Sequence, residues 1–307
     1  MPKVSVIIAT YNRAHYIKEA VDSVLAQTFK DYEIVIVDDG STDATKQVLQ
    51  EYGDKIRYFY QDNQGQAKAL SHAVREAKGE YLAFIDDDDM WLPEKLAIQM
   101  QVFTTNGDIG LVASSMYLTD KNGNITSTWG KPADVKENFE SLFEENIIGF
   151  PSVVVRKDLV NRVGGFDETL ITTQDYDLWL RLSKICQFKC IDIPLIKWRI
   201  HGSNKHQNKV QKLKDRLYIF LKPENMAHLG YIKRRIRISK IYYTHAEYFQ
   251  NMGLYDLASK TYFKSAVINP FIGRYYYPTV RNTLTSSFLY RILRTYLRAF
   301  YCLLKHF

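Results

Sequence analysis

The chain of 307 residues is long enough for a large core and for two domains, and its 46% hydrophobic content excludes a mainly disordered protein. Lys+Arg 41 against Asp+Glu 34 leaves +7, an excess that permits an anionic partner without identifying one. Three cysteines (Cys186, Cys190, Cys302) make no metal or disulfide spacing, and no apolar stretch reaches the ~18 uncharged residues of a spanning helix.

With an N-terminus too quickly polar for a signal peptide, the expectation is a cytoplasmic protein, soluble or peripheral at the cytoplasmic membrane. Val4–Ala9 reads as a buried strand and Ala14–Gln27 as a helix, with Ile17, Ala20, Val21, Val24 and Leu25 on one face. A second strand, Ile34–Val37, ends in Asp38-Asp39-Gly40-Ser41, and Asp43 is placed to cap a helix over Ala44–Tyr52. Ile56–Tyr60 is a third strand, and Gln66–Lys78 a third helix with Gly79 at its C-terminal cap. Strands alternating with helices predict a parallel sheet with right-handed crossovers, so the loops after the strands share one edge.

The next strand, Tyr81–Ile85, stops at four consecutive aspartates, Asp86 to Asp89. Four adjacent carboxylates repel unless they are solvated or neutralised by a cation. A solvated acidic loop is one reading. The other is a site for Mg²⁺ or Mn²⁺, hard ions that take one or two carboxylates together with substrate phosphates. Neither G-x-G-x-x-G nor G-x-x-x-x-G-K-[ST] follows the first strand, where the chain has Ala9-Thr10-Tyr11-Asn12-Arg13-Ala14. Ordinary dinucleotide dehydrogenases and P-loop enzymes are therefore disfavoured.

The segments PKVSVIIATYNRAHYIKEAVDSVLAQTF, YEIVIVDDGSTDAT and GEYLAFIDDDDMWLP resemble, in order and spacing, family 2 glycosyltransferases of the GT-A fold through about the first 110 residues. The resemblance implies an α/β Rossmann-like fold whose mostly parallel sheet is flanked by helices. It also implies a nucleotide-sugar donor, a divalent metal and inversion at the anomeric carbon. By it Thr10 and Tyr11 line the nucleotide, Asp39 and Asp38 meet the base, Asp86 faces the ribose and Asp88 holds the metal. Asp87 and Asp89 are read as structural. Where many relatives carry an Arg-Asn pair on the third helix, Leu70 and Ser71 stand here, and Lys68 is the candidate cation or else a solvated lysine.

Pro93 is placed to open a helix running to about Asn106; Gly110–Thr119 reads as a strand, and Lys121–Asn124 as a hairpin turn. The stretch Trp129–Asn146 shows little pattern. Val153–Val155 and Lys157–Val163 read as a short strand and helix ended by Gly164-Gly165, followed by Phe166-Asp167-Glu168 in the family's manner. In TTQDYDLWLRL, Asp175 opens a helix in line with Leu178, Trp179 and Leu182, and Asp177 is read as exposed. The family's acidic pair at this place matches Gln174 and Asp175, so the resemblance makes Asp175 the catalytic base and Gln174 a departure. Residues Trp198–Ser203 resemble the segment that closes the catalytic domain, and His201 stands where some relatives bring a histidine towards the metal.

The expected organisation is a catalytic domain over 1–205, with a nucleotide-sugar half (1–105) and an acceptor half (106–205), and a helical region over 206–307. Within the latter, Tyr243–Pro270 resembles one tetratricopeptide-type hairpin, and Ser286–Phe307 has the pattern of a basic amphipathic helix suited either to an anionic membrane surface or to packing on the fold. No nucleic-acid motif accompanies the basic stretches. The function implied is transfer of a sugar, from a UDP-sugar, to a hydroxyl of a glycan or lipid-linked glycan. A polyprenyl-phosphate sugar transferase and a noncatalytic nucleotide-sugar binder are the alternatives.

Overall fold

The computed structural model describes residues 1–130, 136–201, 209–227 and 230–269. Apolar runs bounded by polar turns form the first strands, β1 (Val4–Thr10), β2 (Tyr32–Asp38), β3 (Arg57–Tyr60) and β4 (Tyr81–Phe84). Between them lie α1 (Ile17–Leu25), α2 (Thr45–Gln50) and α3 (Gln66–Glu76). All pairings among these four strands are parallel, and their order is β3-β2-β1-β4. Val4, Val6, Ile8, Ile34 and Ile36 pack in one core with Ile17, Val21 and Leu49 of α1 and α2. Ile7, Val35 and Val37 alternate to the other face and are also buried. Helix α3, which lends nothing to that core, packs on β1 and β2. The chain moves outward from β1 to β3 and then returns to β1's other side. That reversal opens a crevice between the carboxyl ends of β1 and β4, where α/β sheets bind ligands.

After β4 come a two-residue strand, β5 (Met90–Trp91), and α4 (Lys95–Thr105), whose Leu96, Met100 and Phe103 join the first core. The sheet continues as β6 (Ile109–Thr119), with β7 (Ile125–Trp129) folded back on it across the predicted turn, where Gly123 has φ 84°. Helix α5 (Phe139–Glu144) lies in the stretch where the sequence shows no pattern, and the Asn138 side chain caps it by accepting from Ser141 N. Strand β8 (Val154–Arg156), helix α6 (Lys157–Arg162), helix α7 (Gln174–Leu182) and a 13-residue strand, β9 (Gln187–Arg199), complete the sheet. Its order is β3-β2-β1-β4-β8-β6-β9-β5, with β7 on β6.

Three sequence expectations need correction. Helix α3 ends at Ala77 in extended backbone, and Gly79 is no left-handed cap. Its glycine is needed for contact: an added Cβ would lie 2.6 Å from Ser5 N, and Gly79 N donates to the buried Ser5 hydroxyl (2.8 Å). Pro93 lies outside α4, two residues before its start. Asp43 lies one residue before the N-cap position, which Ala44 holds; its carboxylate accepts from Thr45 N, the first N–H of α2 (2.9 Å), and from Ala14 N (3.2 Å), tying the β2 loop to the β1 loop.

The chain divides into two units, Met1–Lys205 and His206–Phe307. In the second, α8 (Lys209–Leu221) and α9 (Pro223–Met226) precede α10 (Tyr231–Asn251) and α11 (Tyr255–Ile268). Helices α10 and α11 form a hairpin turned at Gly253 (φ 73°), with Ala246, Phe249, Ala258, Tyr262 and Ala266 between them. Small residues let the two helices approach closely. Pro270 and the tail over 286–307 lie outside the described residues.

Candidate active site

Three loops meet at the carboxyl edge of the sheet. At the end of β1, Thr10 is buried with no hydrogen bond to its hydroxyl among the described residues, and Tyr11 after it is 43% exposed. Asn12 takes a left-handed φ of 53° and accepts from Thr42 N (2.8 Å), which pins this loop to the one after β2. There Asp38 is turned inward. It accepts from Ser41 N (2.8 Å) and from the Tyr58 hydroxyl (2.9 Å). Burial, and then the Asp38 carboxylate, push the Tyr58 phenol upward, so it stays a donor. Asp39 accepts from Gln64 N (2.9 Å), Gly65 N (2.8 Å) and Gln61 Nε2 (2.7 Å), and the Gln61 carbonyl meets His72 Nδ1 at 2.8 Å. Asp38 therefore shapes its own loop, while Asp39 orders the approach to α3.

The four aspartates after β4 separate by direction. Asp86 and Asp87 are half-buried, Asp88 is 8% exposed and Asp89 is fully buried. Arg13 Nε lies 3.7 Å from Asp87 and 4.0 Å from Asp88, while His201 Nε2 is 2.8 Å from Asp88 Oδ2. Asp89 accepts from Arg199 N (2.8 Å), and among the described residues its other oxygen has no hydrogen bond. Burial, reinforced by Asp88 and Asp86, pushes its carboxyl well above the usual range. Asp89 thus belongs to the interior. The Arg199 guanidinium donates to the Asp88 carbonyl (3.0 Å), pairs with Glu19 (2.6 Å) and lies over the Tyr16 ring (4.8 Å), on which His201 also stacks. Strand β9 is in this way fastened to the acidic turn at its last residues.

Among the described residues no three or more His, Cys, Asp or Glu side chains are arranged to enclose an ion. The donors at Asp88 and His201, oxygen and imidazole at one point of the turn, suit an ion that is held partly by the protein and partly by substrate phosphate.

Helix α7 carries Asp175, half-buried, in its first turn. Gln174 Nε2 donates to Gln66 Oε1 (3.1 Å), and Gln66 Nε2 donates to Asp86 Oδ1 (3.3 Å). This amide chain joins the start of α7, the helix that carries Asp175, to the start of α3 and to the acidic turn. Asp177, expected to be exposed, is fully buried. It pairs with Arg181 (2.8 Å), which donates to the carbonyls of Val163 and Gly165. Both glycines there, Gly164 and Gly165, have positive φ, and the Arg181 fork is what their turn wraps. Lys68 is half-buried in the first turn of α3, with no hydrogen bond or ion pair to its ammonium among the described residues. Leu70 is core, so no cation replaces the absent Arg at that position.

Sequence reasoning did not find Arg13, Gln61, Gln66, Glu19 and Arg199 as parts of the site. Arg199 falls in the Trp198–Ser203 segment that resembles the close of the catalytic domain, which was the available signal for it.

A Rossmann-like, mostly parallel sheet flanked by helices, with an acidic turn at its switch point, is the GT-A architecture of glycosyltransferases. The model of "Glycosyl transferase family 2" matches residues 5–164, and the chain belongs to that family. An uncharacterized glycosyltransferase of Rickettsia typhi is 34% identical over 219 residues, covering 70% of this chain and 69% of that protein. Escherichia coli chondroitin synthase is 30% identical over 234 residues, 75% of this chain but 33% of that one. Several other rickettsial relatives are likewise matched over only about a third of their length. Among solved structures, residues 1–349 of S. aureus TarS superpose with a TM-score of 0.67 at 19% identity, over 97% of this chain and 91% of that one. The same TarS fragment has been solved with UDP-GlcNAc (TM-score 0.63, 19% identity, 86% of this chain and 79% of that one). A mannosyltransferase of Pyrobaculum calidifontis, solved with GDP-Man and Mn²⁺, gives a TM-score of 0.59 at 18% identity, over 97% of this chain and 85% of that one.

Proposed function

We propose that the protein is an inverting, metal-dependent glycosyltransferase that moves a sugar from a UDP-sugar to a hydroxyl of a glycan or lipid-linked glycan. The observation that carries this reading is the amide chain Gln174–Gln66–Asp86, which ties the helix bearing Asp175 to the acidic turn at the switch point. The UDP-GlcNAc complex of a TarS fragment supports the donor class, and the chondroitin synthase likeness supports a glycan acceptor.

Thr10 and Tyr11 flank the nucleotide on one side, and the loop ordered by Asp39 lies on the other. Asp86 lies at the ribose side of the crevice. Asp88, with His201 beside it, would hold Mg²⁺ or Mn²⁺, which when bound offsets the charge of the departing diphosphate as a Lewis acid. Arg13 adds a fixed positive charge at the same turn. Asp175 takes the proton of the acceptor hydroxyl as its oxygen bonds to the anomeric carbon on the face opposite the diphosphate. The bond from that carbon to the diphosphate oxygen breaks, and the configuration inverts. A positioned base of this kind contributes ~10²–10⁴-fold. A polyprenyl-phosphate acceptor is already an anion and would leave Asp175 without this role.

The test is calorimetry of UDP binding with and without Mn²⁺ in Asp88→Asn. Metal-dependent affinity is expected to fall at least tenfold. Unchanged metal-dependent affinity would remove Asp88 from the metal site.

A further inference from the structure

The loop after β1 delivers a cation to the acidic turn from a rigid base. Asn12 holds its left-handed φ of 53°, and its Oδ1 accepts from Thr42 N (2.8 Å) and Asp43 N (3.3 Å). Arg13 N then donates to Thr45 Oγ1 (3.0 Å), and the Arg13 carbonyl accepts from Tyr16 N (2.9 Å) and Ile17 N (3.0 Å) at the entry to α1. With its backbone pinned on both sides, Arg13 carries its guanidinium to the turn after β4. Its Nε lies 3.7 Å from Asp87 Oδ1 and 4.0 Å from Asp88 Oδ2. The three side chains are shielded, Arg13 being 21%, Asp87 13% and Asp88 10% exposed, so salt screens these charges less than it would at an open surface. Arg199 is placed differently: its guanidinium pairs with Glu19 and donates to the Asp88 carbonyl.

We infer that Arg13 couples the metal to the nucleotide: it opposes a divalent ion that arrives alone at Asp88, and the opposition disappears when a diphosphate binds with the ion. The inference rests on the glycosyltransferase reading above, in which Asp88 holds the metal. Its basis is the sign of the charges. A guanidinium keeps its proton in a protein, so the Asp88 carboxylate always has a cation within 4.0 Å. That cation repels a free Mg²⁺ or Mn²⁺ and already offsets part of the carboxylate's charge. A diphosphate reverses the balance, because its negative charge attracts the ion and the guanidinium together, and the planar fork of Arg matches phosphate oxygens. Ion and nucleotide then bind more tightly together than apart, and linkage makes the gain equal in both directions. A counter-ion serving only to keep Asp87 and Asp88 from repelling each other predicts another outcome. Its removal would spoil the turn and weaken the ion with and without nucleotide.

The experiment uses the full chain, with Mn²⁺ and UDP as probes. Binding of Mn²⁺ alone is read from the loss of the free-ion EPR signal, and UDP affinity from calorimetry without and with saturating Mn²⁺. In Arg13→Gln and Arg13→Met, Mn²⁺ alone is expected to bind about tenfold tighter than in the parent, equivalent to ~1.4 kcal/mol. The factor by which Mn²⁺ tightens UDP binding should fall by about tenfold or more, and the Mn²⁺–UDP complex formed in solution is common to all the proteins and cancels. Arg13→Lys keeps the charge and should follow the parent in both measurements. Adding Asp88→Asn to Arg13→Gln should abolish the gain in Mn²⁺ affinity. Unchanged or weaker binding of Mn²⁺ alone in the neutral variants, an unchanged Mn²⁺ effect on UDP, a lysine variant that behaves like them, or a gain that survives Asp88→Asn overturns the inference and leaves the glycosyltransferase reading standing. Failure of both neutral variants to fold makes Arg13 a structural counter-ion and overturns it equally. A parent protein that binds UDP with the same affinity with and without Mn²⁺ overturns both the inference and the metal-dependent reading.

Discussion

Lys95 is fully buried on α4, and among the described residues no carboxylate neutralises it. Its ammonium has one hydrogen bond, to Gln99 Oε1 at 2.7 Å, and lies 3.9 Å from the centre of the Trp91 ring. Burial holds its pKa well below the ordinary lysine value. The sign follows from linkage. Between the depressed native value and ~10.4, the unfolded chain holds a proton that the native chain lacks. Stability therefore climbs as pH rises through that window, by up to ~1.4 kcal/mol per pH unit, and the penalty vanishes above it. Lys95→Met keeps the volume and removes the penalty, but it leaves Gln99 Oε1 unpaired at a cost of ~1–3 kcal/mol that does not depend on pH. The difference between variant and parent should thus move in the variant's favour as pH falls from ~9.5 towards ~7.5, by up to ~1.4 kcal/mol per pH unit while the native lysine stays neutral. Urea unfolding of both proteins at the two pH values measures it, and the other titrating groups cancel in the difference. A difference that does not change with pH would mean that the native lysine stays charged and that the account of its burial is wrong.

Two further outcomes are expected from the scaffold around the site. Asp177→Ala leaves Arg181 without its buried partner and should cost ~3–5 kcal/mol, read as a lowered thermal midpoint; a loss under 1 kcal/mol would restore the exposed reading of Asp177. Gly79→Ala sets a Cβ against the Ser5 backbone nitrogen and should destabilise by about 1–3 kcal/mol, and an unaffected variant would show that β1 yields there.

The first four strands were legible because they are apolar runs that end in polar turns, as at Val4–Thr10 and Tyr81–Phe84. Strand β9 was not. Gln187–Arg199 mixes Lys189, Asp192, Pro194 and Lys197 with its apolar residues, and its pairing with β6 shifts register around Pro194. Helix α5 was missed because its six residues show no periodicity and, unlike the equally short α6 before Gly164-Gly165, no glycine pair marks its end. Asp177 was misjudged because α7 is buried on nearly every side, Tyr176 and Leu180 included, whereas a single apolar stripe was assumed. The Asp-Arg spacing of four was the available clue to its partner. The aspartates at the strand ends were readable as a group, but their division of labour was not. Which of them points inward depends on Arg199 and His201, more than 100 residues away in the chain.

The central claim, transfer to a hydroxyl with Asp175 as base, is tested most directly by Asp175→Asn, which keeps the shape of the side chain and cannot take a proton at neutral pH. With the donor and acceptor that the parent protein uses best, donor affinity by calorimetry should remain within twofold while transfer falls by ~10²-fold or more. Parent and variant transferring at the same rate would contradict the assignment of Asp175 and the mechanism built on it.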